Sequence, residues 1–147
     1  MTLEELLARE SIRDAMATYN TAGDRLRWDD FVSVFTEDAL FESDTFRHVG
    51  RDAIKAHFEN WGGTSSAQGR RPSFVRHNLT TSKIELTGPD TAKARTYWFV
   101  MSDAGPDHAG VYVDEFRKTG ERWLISRRQI RLDWRSADSL FAATPAR

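Results

Sequence analysis

The sequence predicts an α+β fold, a cone-shaped barrel in which three N-terminal helices pack inside a curved antiparallel sheet. From Leu3 to Trp61 many apolar side chains recur at intervals of three and four, the spacing of amphipathic helices. From about Ser73 the apolar residues alternate with polar ones, which is typical of strands. Short turns separate these later runs, and short turns favour an antiparallel meander. A sheet of this kind wraps the first helix and leaves an apolar cavity at its open end, where small ligands bind.

The first helix begins at a capping box formed by Thr2 and Glu5 and is predicted to end at Gly23, which suits a left-handed stop. A short second helix has apolar residues at positions i, i+3, i+4 and i+7: Trp28, Phe31, Val32 and Phe35. The third helix runs from Gly50 to about Trp61 and is closed by glycines.

The strands follow. A short strand pair, or a strand followed by a turn, is predicted over about 38–49, and four long strands over about 73–87, 91–102, 109–118 and 122–134. The polar, glycine-containing loop from Gly62 to Pro72 is predicted to be the most mobile segment. A tail from Arg135 to Arg147 contains one apolar pair, Leu140-Phe141. The chain is therefore treated as one domain, 1–147.

Composition narrows the function. The 147 residues are enough for one substantial core. The 21 basic and 22 acidic residues are interleaved and give a net charge of −1, so no field attracts nucleic acid. There is no cysteine, which excludes thiol catalysis and disulfides. Neither a signal peptide nor a membrane-spanning apolar run is evident, so a cytoplasmic protein without membrane contact is expected.

Three residues point to chemistry. Asp24 follows the predicted end of the first helix, Tyr19 lies on its apolar side, and His77 lies on a predicted strand. A carboxylate, a phenol and an imidazole on one frame suffice for acid–base catalysis without a cofactor. The other histidines compete poorly, since His48 and His108 are predicted in turns and His57 lies on a partly polar helix flank. No pair of histidines has ligand spacing, so a metal site is not expected.

From Leu6 to about Trp134 the chain resembles the SnoaL-like branch of the nuclear-transport-factor-2 (cystatin-like) superfamily. Within it, the chain is similar to the scytalone dehydratase and bile-acid 7α-dehydratase group. The resemblance rests on six segments: Asp24-Arg25-Leu26-Arg27-Trp28, Phe35-Thr36-Glu37-Asp38-Ala39, Gly50-Arg51-Asp52-Ala53-Ile54, Arg76-His77-Asn78-Leu79-Thr80, Tyr112-Val113-Asp114-Glu115-Phe116 and Trp123-Leu124-Ile125.

The resemblance implies that Asp24 hydrogen-bonds a catalytic His77 and that Tyr19 donates to a substrate oxygen. It makes Tyr112 a second donor. It also implies a homo-oligomer, a trimer or a dimer, and a C-terminal segment that closes over the pocket.

Further substrate contacts follow from strand alternation. Arg127 alternates in step with Trp123 and Ile125, so all three are predicted to lie on the same, inward face of the strand. Arg128 is predicted to be solvated. Trp98 and Phe41 are predicted aromatic contacts, which favours a small apolar cyclic or aromatic substrate.

The chain also departs from the dehydratases. The second histidine of scytalone dehydratase is absent from the strand Thr96–Ser102, and Gly23 and Ser43 stand where its two water-holding tyrosines are expected. The leading hypothesis is a cofactor-independent dehydratase. An isomerase or polyketide-type cyclase that uses the same pocket, and a non-catalytic ligand-binding module, remain open alternatives.

Overall fold

The computed structural model describes residues 1–60 and 70–141. The helices there are α1 (Leu3–Asp24), α2 (Trp28–Val32) and α3 (Arg51–Asn60). The strands are β1 (Phe35–Glu42), β2 (Arg47–Val49), β3 (Arg76–Leu86), β4 (Thr91–Ser102), β5 (Gly105–Thr119) and β6 (Arg122–Arg135). The predicted α+β class is confirmed. Most of the predicted loop Gly62–Pro72 and the tail beyond Phe141 lie outside the described residues.

Helix α1 begins as predicted, because Thr2 and Glu5 form both hydrogen bonds of the capping box. Its end differs from the prediction. The helix continues through Asp24, and Leu26 takes the left-handed conformation at φ 57°. A Cβ on Gly23 would lie only 3.3 Å from the Phe31 ring, so glycine here permits the close approach of α2. Asp24 is therefore held on the last turn of a regular helix. No helix in the described ranges is long and apolar enough to cross a membrane.

The six strands form one sheet in the order β2-β1-β6-β5-β4-β3. The pairs from β3 to β6 are antiparallel, as predicted, and so is the β1–β2 pair. Strand β1, however, runs parallel to β6, so the sheet is mixed. The chain enters β1 directly after α2, where the Ile125 N–H donates to the carbonyl of Val34 at 2.8 Å.

A β-bulge in β6 changes which arginine faces inward. Phe116 pairs with Ile125 and Glu115 with Arg127, so Ser126 is an extra residue in β6. One inserted residue reverses the alternation of every later side chain. The prediction of an inward Arg127 and a solvated Arg128 is therefore wrong. Arg128 is fully buried, whereas the Arg127 side chain is 43% exposed and pairs with Glu42.

The helices pack on the concave face of the sheet through aromatic residues. Phe41 is completely buried, and its ring contacts those of Tyr19, Phe35 and Phe58 at centroid distances of 6.4, 5.7 and 5.6 Å. Edge-to-face and tilted contacts of this kind stabilise a core beyond the burial of area alone. Two members of this cluster, Tyr19 and Phe58, also line a cavity between the helices and the sheet.

Candidate active site

A cavity of about 430 Å³ lies between the end of α1, helices α2 and α3, and the concave face of the sheet. Its wall is mostly apolar, which suits a ring compound. The side chains on the wall that can exchange hydrogen bonds are Tyr19, Asn20, Asp24, Thr45, His57, His77, Trp98, His108 and Tyr112.

Asp24 and His77 meet on this wall. The Nδ1 atom of His77 lies 2.5 Å from Oδ1 of Asp24, and the backbone N–H of His77 donates to Oδ2 at 3.0 Å. The Asp24 side chain is 9% exposed and that of His77 is 25% exposed, so the imidazole of His77 is the more accessible member of the pair. An ionised carboxylate only accepts hydrogen bonds, so it fixes the proton on Nδ1 and leaves Nε2 as the free nitrogen. This is the arrangement of an oriented general base.

Tyr19 and Tyr112 contact each other and the cavity, and Arg128 lies against both. Their ring centroids are 5.7 Å apart, and the Arg128 guanidinium lies 4.1 Å from the Tyr19 ring centre and 4.0 Å from that of Tyr112. Burial raises the pKa of Tyr19 to about 12, although the charge of Arg128 works in the opposite direction. Burial also raises the pKa of Tyr112. Both phenols are therefore protonated donors at neutral pH.

Arg128 itself is held by Asp114 in a bidentate pair, with Nε–Oδ1 and Nη2–Oδ2 distances of 2.8 and 2.7 Å. Burial alone would lower the pKa of Arg128, but the charge and the hydrogen bonds of Asp114, together with smaller contributions from Tyr19 and Tyr112, outweigh it and raise that pKa. Burial has the opposite effect on Asp114, whose pKa it raises. We assign an ion pair, because the bidentate contact needs both carboxylate oxygens as acceptors. Arg128 is not on the cavity wall; it supports the two tyrosines from behind.

Asn20, one residue after Tyr19, was not singled out from the sequence. It is 5% exposed, and its Oδ1 atom accepts a long hydrogen bond of 3.5 Å from the Tyr112 hydroxyl. Its Nδ2 atom, like Nε1 of Trp98, is buried without a partner among the described residues. Buried donors are normally satisfied, and both of these donors belong to residues of the cavity wall.

His108 forms a second carboxylate–imidazole pair, which the residue pattern of the sequence does not predict. Its Nδ1 lies 2.7 Å from Oδ1 of the fully buried Asp107. The predicted turn over Asp103–His108 is wrong from Gly105 onward, because β5 begins there. A register shift opposite Val100 and Met101 leaves both Asp107 and His108 buried, which hid the alternation of the strand. The signal in the sequence was an Asp directly before a His.

The described part of the tail also reaches the cavity. Phe141 lies on its wall, and its ring packs against that of His108 at a centroid distance of 4.6 Å. Asp107 accepts hydrogen bonds from Ser139 Oγ at 2.5 Å and from the backbone N–H of Leu140 at 2.9 Å. One carboxylate thus fixes both a cavity imidazole and the tail segment.

The structure brings together five of the seven predicted site residues: Tyr19, Asp24, His77, Trp98 and Tyr112. Phe41 is not on the wall, since it lies in the core behind Tyr19. Arg127 is not there either, because the bulge turns it outward. Within residues 1–60 and 70–141 no three His, Asp or Glu side chains are grouped to hold a metal ion.

Residues 4–129 match the SnoaL-like domain. The chain belongs to the SnoaL-like family. No curated protein sequence matches it significantly.

Solved structures agree on the fold. A proposed scytalone dehydratase from Novosphingobium aromaticivorans is 23% identical, with a TM-score of 0.79 over 99% of this chain and 97% of its own. A hexachlorocyclohexane dehydrochlorinase, LinA-type3 from Novosphingobium barchaimii, is 17% identical, with a TM-score of 0.77 over 98% and 99%. A proposed aromatic ring hydroxylase from N. aromaticivorans is 29% identical, with a TM-score of 0.69 over 85% and 88%. This fold serves several reactions, so the site itself must indicate the chemistry.

Proposed function

We propose that the protein is a cofactor-independent lyase, a dehydratase that acts on a cyclic or aromatic hydroxy-carbonyl compound. The observation behind this proposal is the 2.5 Å contact between Asp24 and His77 on the wall of an apolar cavity. A carboxylate that holds an imidazole in one tautomer is the standard means of presenting a general base.

In the proposed reaction, Nε2 of His77 removes a proton from the carbon between the carbonyl carbon and the carbinol carbon. The C–H electron pair forms a carbon–carbon double bond and moves the carbonyl electrons onto oxygen, giving an enolate. The enolate then re-forms the carbonyl, the C–O bond of the hydroxyl breaks, and His77 returns its proton to the leaving oxygen. The products are water and a conjugated carbonyl compound. Asp24 stabilises the imidazolium that exists between the two proton transfers.

The enolate oxygen requires hydrogen-bond donors. Tyr19 and Tyr112 supply protonated phenols, and Asn20 supplies an amide nitrogen that has no other partner among the described residues. Donors placed where charge develops each contribute roughly 3 kcal/mol in well-studied enzymes. Arg128 acts through the tyrosines, since its guanidinium lies over both rings and outside the cavity wall.

The comparisons support the same class of reaction. Two of the similar structures have names that denote eliminations, one a dehydratase and the other a dehydrochlorinase. At 23% and 17% identity they support the fold, and the reaction is transferred here only as part of the proposal.

The test is a set of cyclic β-hydroxyketones, beginning with 3-hydroxycyclohexanone and its aryl-fused analogues. The product enone is followed by its ultraviolet absorbance, and the loss of water by mass spectrometry. We expect turnover by the wild-type protein, loss of turnover in His77→Gln, and retention in His48→Gln, whose histidine is not on the cavity wall. Equal turnover in His77→Gln would overturn the proposal. Exchange of substrate hydrogen for deuterium in heavy water without loss of water would instead identify an isomerase that uses the same base.

A further inference from the structure

We propose that His108 determines ligand specificity: its Nε2 atom accepts a hydrogen bond from a hydroxyl group of the ligand, so the cavity selects alcohols and phenols over the matching ethers and halides. The proposed role of His108 adds specificity to the proposed function. It rests on that function in one respect, namely that the cavity is the site where the substrate binds.

The first step of the argument is the environment of Asp107. The residue is fully buried, and its two oxygens face the donors Ser102 Oγ, Ser139 Oγ and the Leu140 N–H at 2.7, 2.5 and 2.9 Å. Burial alone would raise the pKa of Asp107, but these hydrogen bonds and that of His108 outweigh it and lower the pKa. Asp107 is therefore an ionised carboxylate that can only accept hydrogen bonds.

The second step is the tautomer of His108. Since Oδ1 of Asp107 only accepts, the Nδ1 atom that lies 2.7 Å away must be the donor. Burial lowers the pKa of His108, although the charge of Asp107 opposes this, so the ring is neutral near pH 7. A neutral imidazole with its proton on Nδ1 has a lone pair on Nε2.

The third step is the position of that lone pair. The His108 ring is on the cavity wall, held between Trp98 and Phe141 at centroid distances of 5.5 and 4.6 Å. No described residue hydrogen-bonds its Nε2. The His77 ring lies 6.5 Å away, nearly perpendicular to it. A hydroxyl that donates to His108 therefore lies next to the base, with its oxygen lone pairs free to receive a proton from His77.

The consequence is a preference that can be measured. An ether oxygen or a halide presents lone pairs to the lone pair of His108 and leaves that acceptor unpaired. Sites built to bind a hydroxyl reject analogues that lack it far more strongly than apolar pockets reject a change in size. For a single acceptor on a partly open wall we expect roughly a tenfold to hundredfold loss of affinity.

The experiment uses unreactive probes, so it does not depend on turnover. Dissociation constants of 2-naphthol, 2-methoxynaphthalene and 2-chloronaphthalene are measured by calorimetry on the whole chain. The wild-type protein is expected to bind 2-naphthol most tightly. His108→Phe keeps a ring of similar shape and is expected to bind all three within about twofold of one another. The control, His48→Phe, changes a histidine that is not on the cavity wall, and it is expected to keep the wild-type order.

A second variant tests the tautomer. In Asp107→Asn an amide N–H can donate to Nδ1 and move the imidazole proton to Nε2, which becomes a donor. We expect this variant to bind 2-methoxynaphthalene at least as well as 2-naphthol. A wild-type order that persists in His108→Phe, or no preference for 2-naphthol in the wild-type protein, would overturn the proposal. If the wild-type protein binds 2-naphthol most tightly but converts no hydroxy-ketone, the result counts against the proposed lyase activity and leaves the role of His108 standing.

Discussion

One carboxylate fixes both the backbone and the ring of His77. Oδ2 of Asp24 accepts from the His77 backbone N–H at 3.0 Å, and Oδ1 lies 2.5 Å from ring Nδ1. Because Asp24 is on the last turn of α1 and His77 is at the start of β3, this double contact joins the helix to the sheet at the cavity. The geometry leaves the imidazole one orientation in which to act.

The first prediction concerns that contact. Asp24→Asn allows an amide N–H to face Nδ1, which stabilises the tautomer with its proton on Nε2 and removes the free base. We expect kcat for the hydroxy-ketone substrate to fall about a hundredfold or more, while KM changes little. Steady-state kinetics across pH measure this. A variant that retained more than half of the wild-type kcat would show that Asp24 does not set the tautomer.

The second prediction compares the two adjacent arginines of β6. Arg128→Met leaves Asp114 charged and unpaired in the core, which is expected to cost about 3–5 kcal/mol in the free energy of unfolding. Arg127→Met removes a pair with Glu42 that is partly exposed, and less than about 1 kcal/mol is expected. Urea denaturation of both variants measures the difference. The double variant Arg128→Met/Asp114→Leu should recover much of the loss, since it removes both buried charges.

The third prediction is a dependence of stability on pH. Burial lowers the pKa of His108 and of His57 from the reference value of 6.5. The unfolded chain therefore binds more protons than the folded chain between the lowered values and 6.5, so the free energy of unfolding falls as pH falls through this range. The lowered pKa of Asp107 acts only below its reference value of 3.8, outside this window.

Urea denaturation at several pH values between about 7 and 5 measures the slope. We expect His108→Phe to flatten the slope, because it removes one of the two contributing histidines and leaves that of His57 in place. An identical slope in the wild-type protein and His108→Phe would contradict the assignment of a neutral buried His108.

The fourth prediction concerns Gly110, which pairs with Trp98 across β4 and β5. A Cβ at this position would lie 1.9 Å from the Arg131 carbonyl oxygen and 2.7 Å from Cζ2 of Trp98. Gly110→Ala is therefore expected to destabilise the protein by more than about 2 kcal/mol and to change the tryptophan fluorescence. In the comparison variant, Gly88→Ala, the new Cβ would meet one side-chain atom, the Thr91 hydroxyl oxygen at 2.8 Å, and no backbone atom, so a smaller loss of stability is expected. Thermal unfolding of both variants tests the difference.

Much of this architecture was predictable from the sequence. Apolar periodicity placed the three helices and the long strands, and the capping box at Thr2 placed the start of α1. The pairing of Asp24 with His77 could be expected only from the resemblance, because the two residues are far apart in the chain and no local pattern links them.

The two main errors share one cause. Arg128 was expected in solvent and His108 in a turn, and each lies beside an irregular register in the sheet, at Ser126 and Asp107 respectively. Alternation of polar and apolar residues assigns a face only while the register is regular, and one extra residue reverses the assignment. Bulges are common next to active sites, so the rule fails where the functional residues lie. The parallel pairing of β1 with β6 could not be predicted, because the residue pattern of β1 carries no information on the direction of a partner strand that lies more than 80 residues later in the chain.

That parallel pairing also constrains how the protein folds. Strand β1 has two neighbours in the sheet, β2 and β6, and Phe35 of β1 pairs with Ile125 of β6. Until nearly the whole described chain has been synthesised, β1 can therefore form sheet hydrogen bonds only with β2. Contacts between segments so distant in sequence close slowly, because the intervening chain must lose its entropy first. Helix α1 and strand β1 emerge from the ribosome early, and their aromatic side chains stay exposed until β6 has been synthesised. We therefore expect the nascent chain to be most prone to aggregation, and most dependent on chaperones, just before β6 emerges.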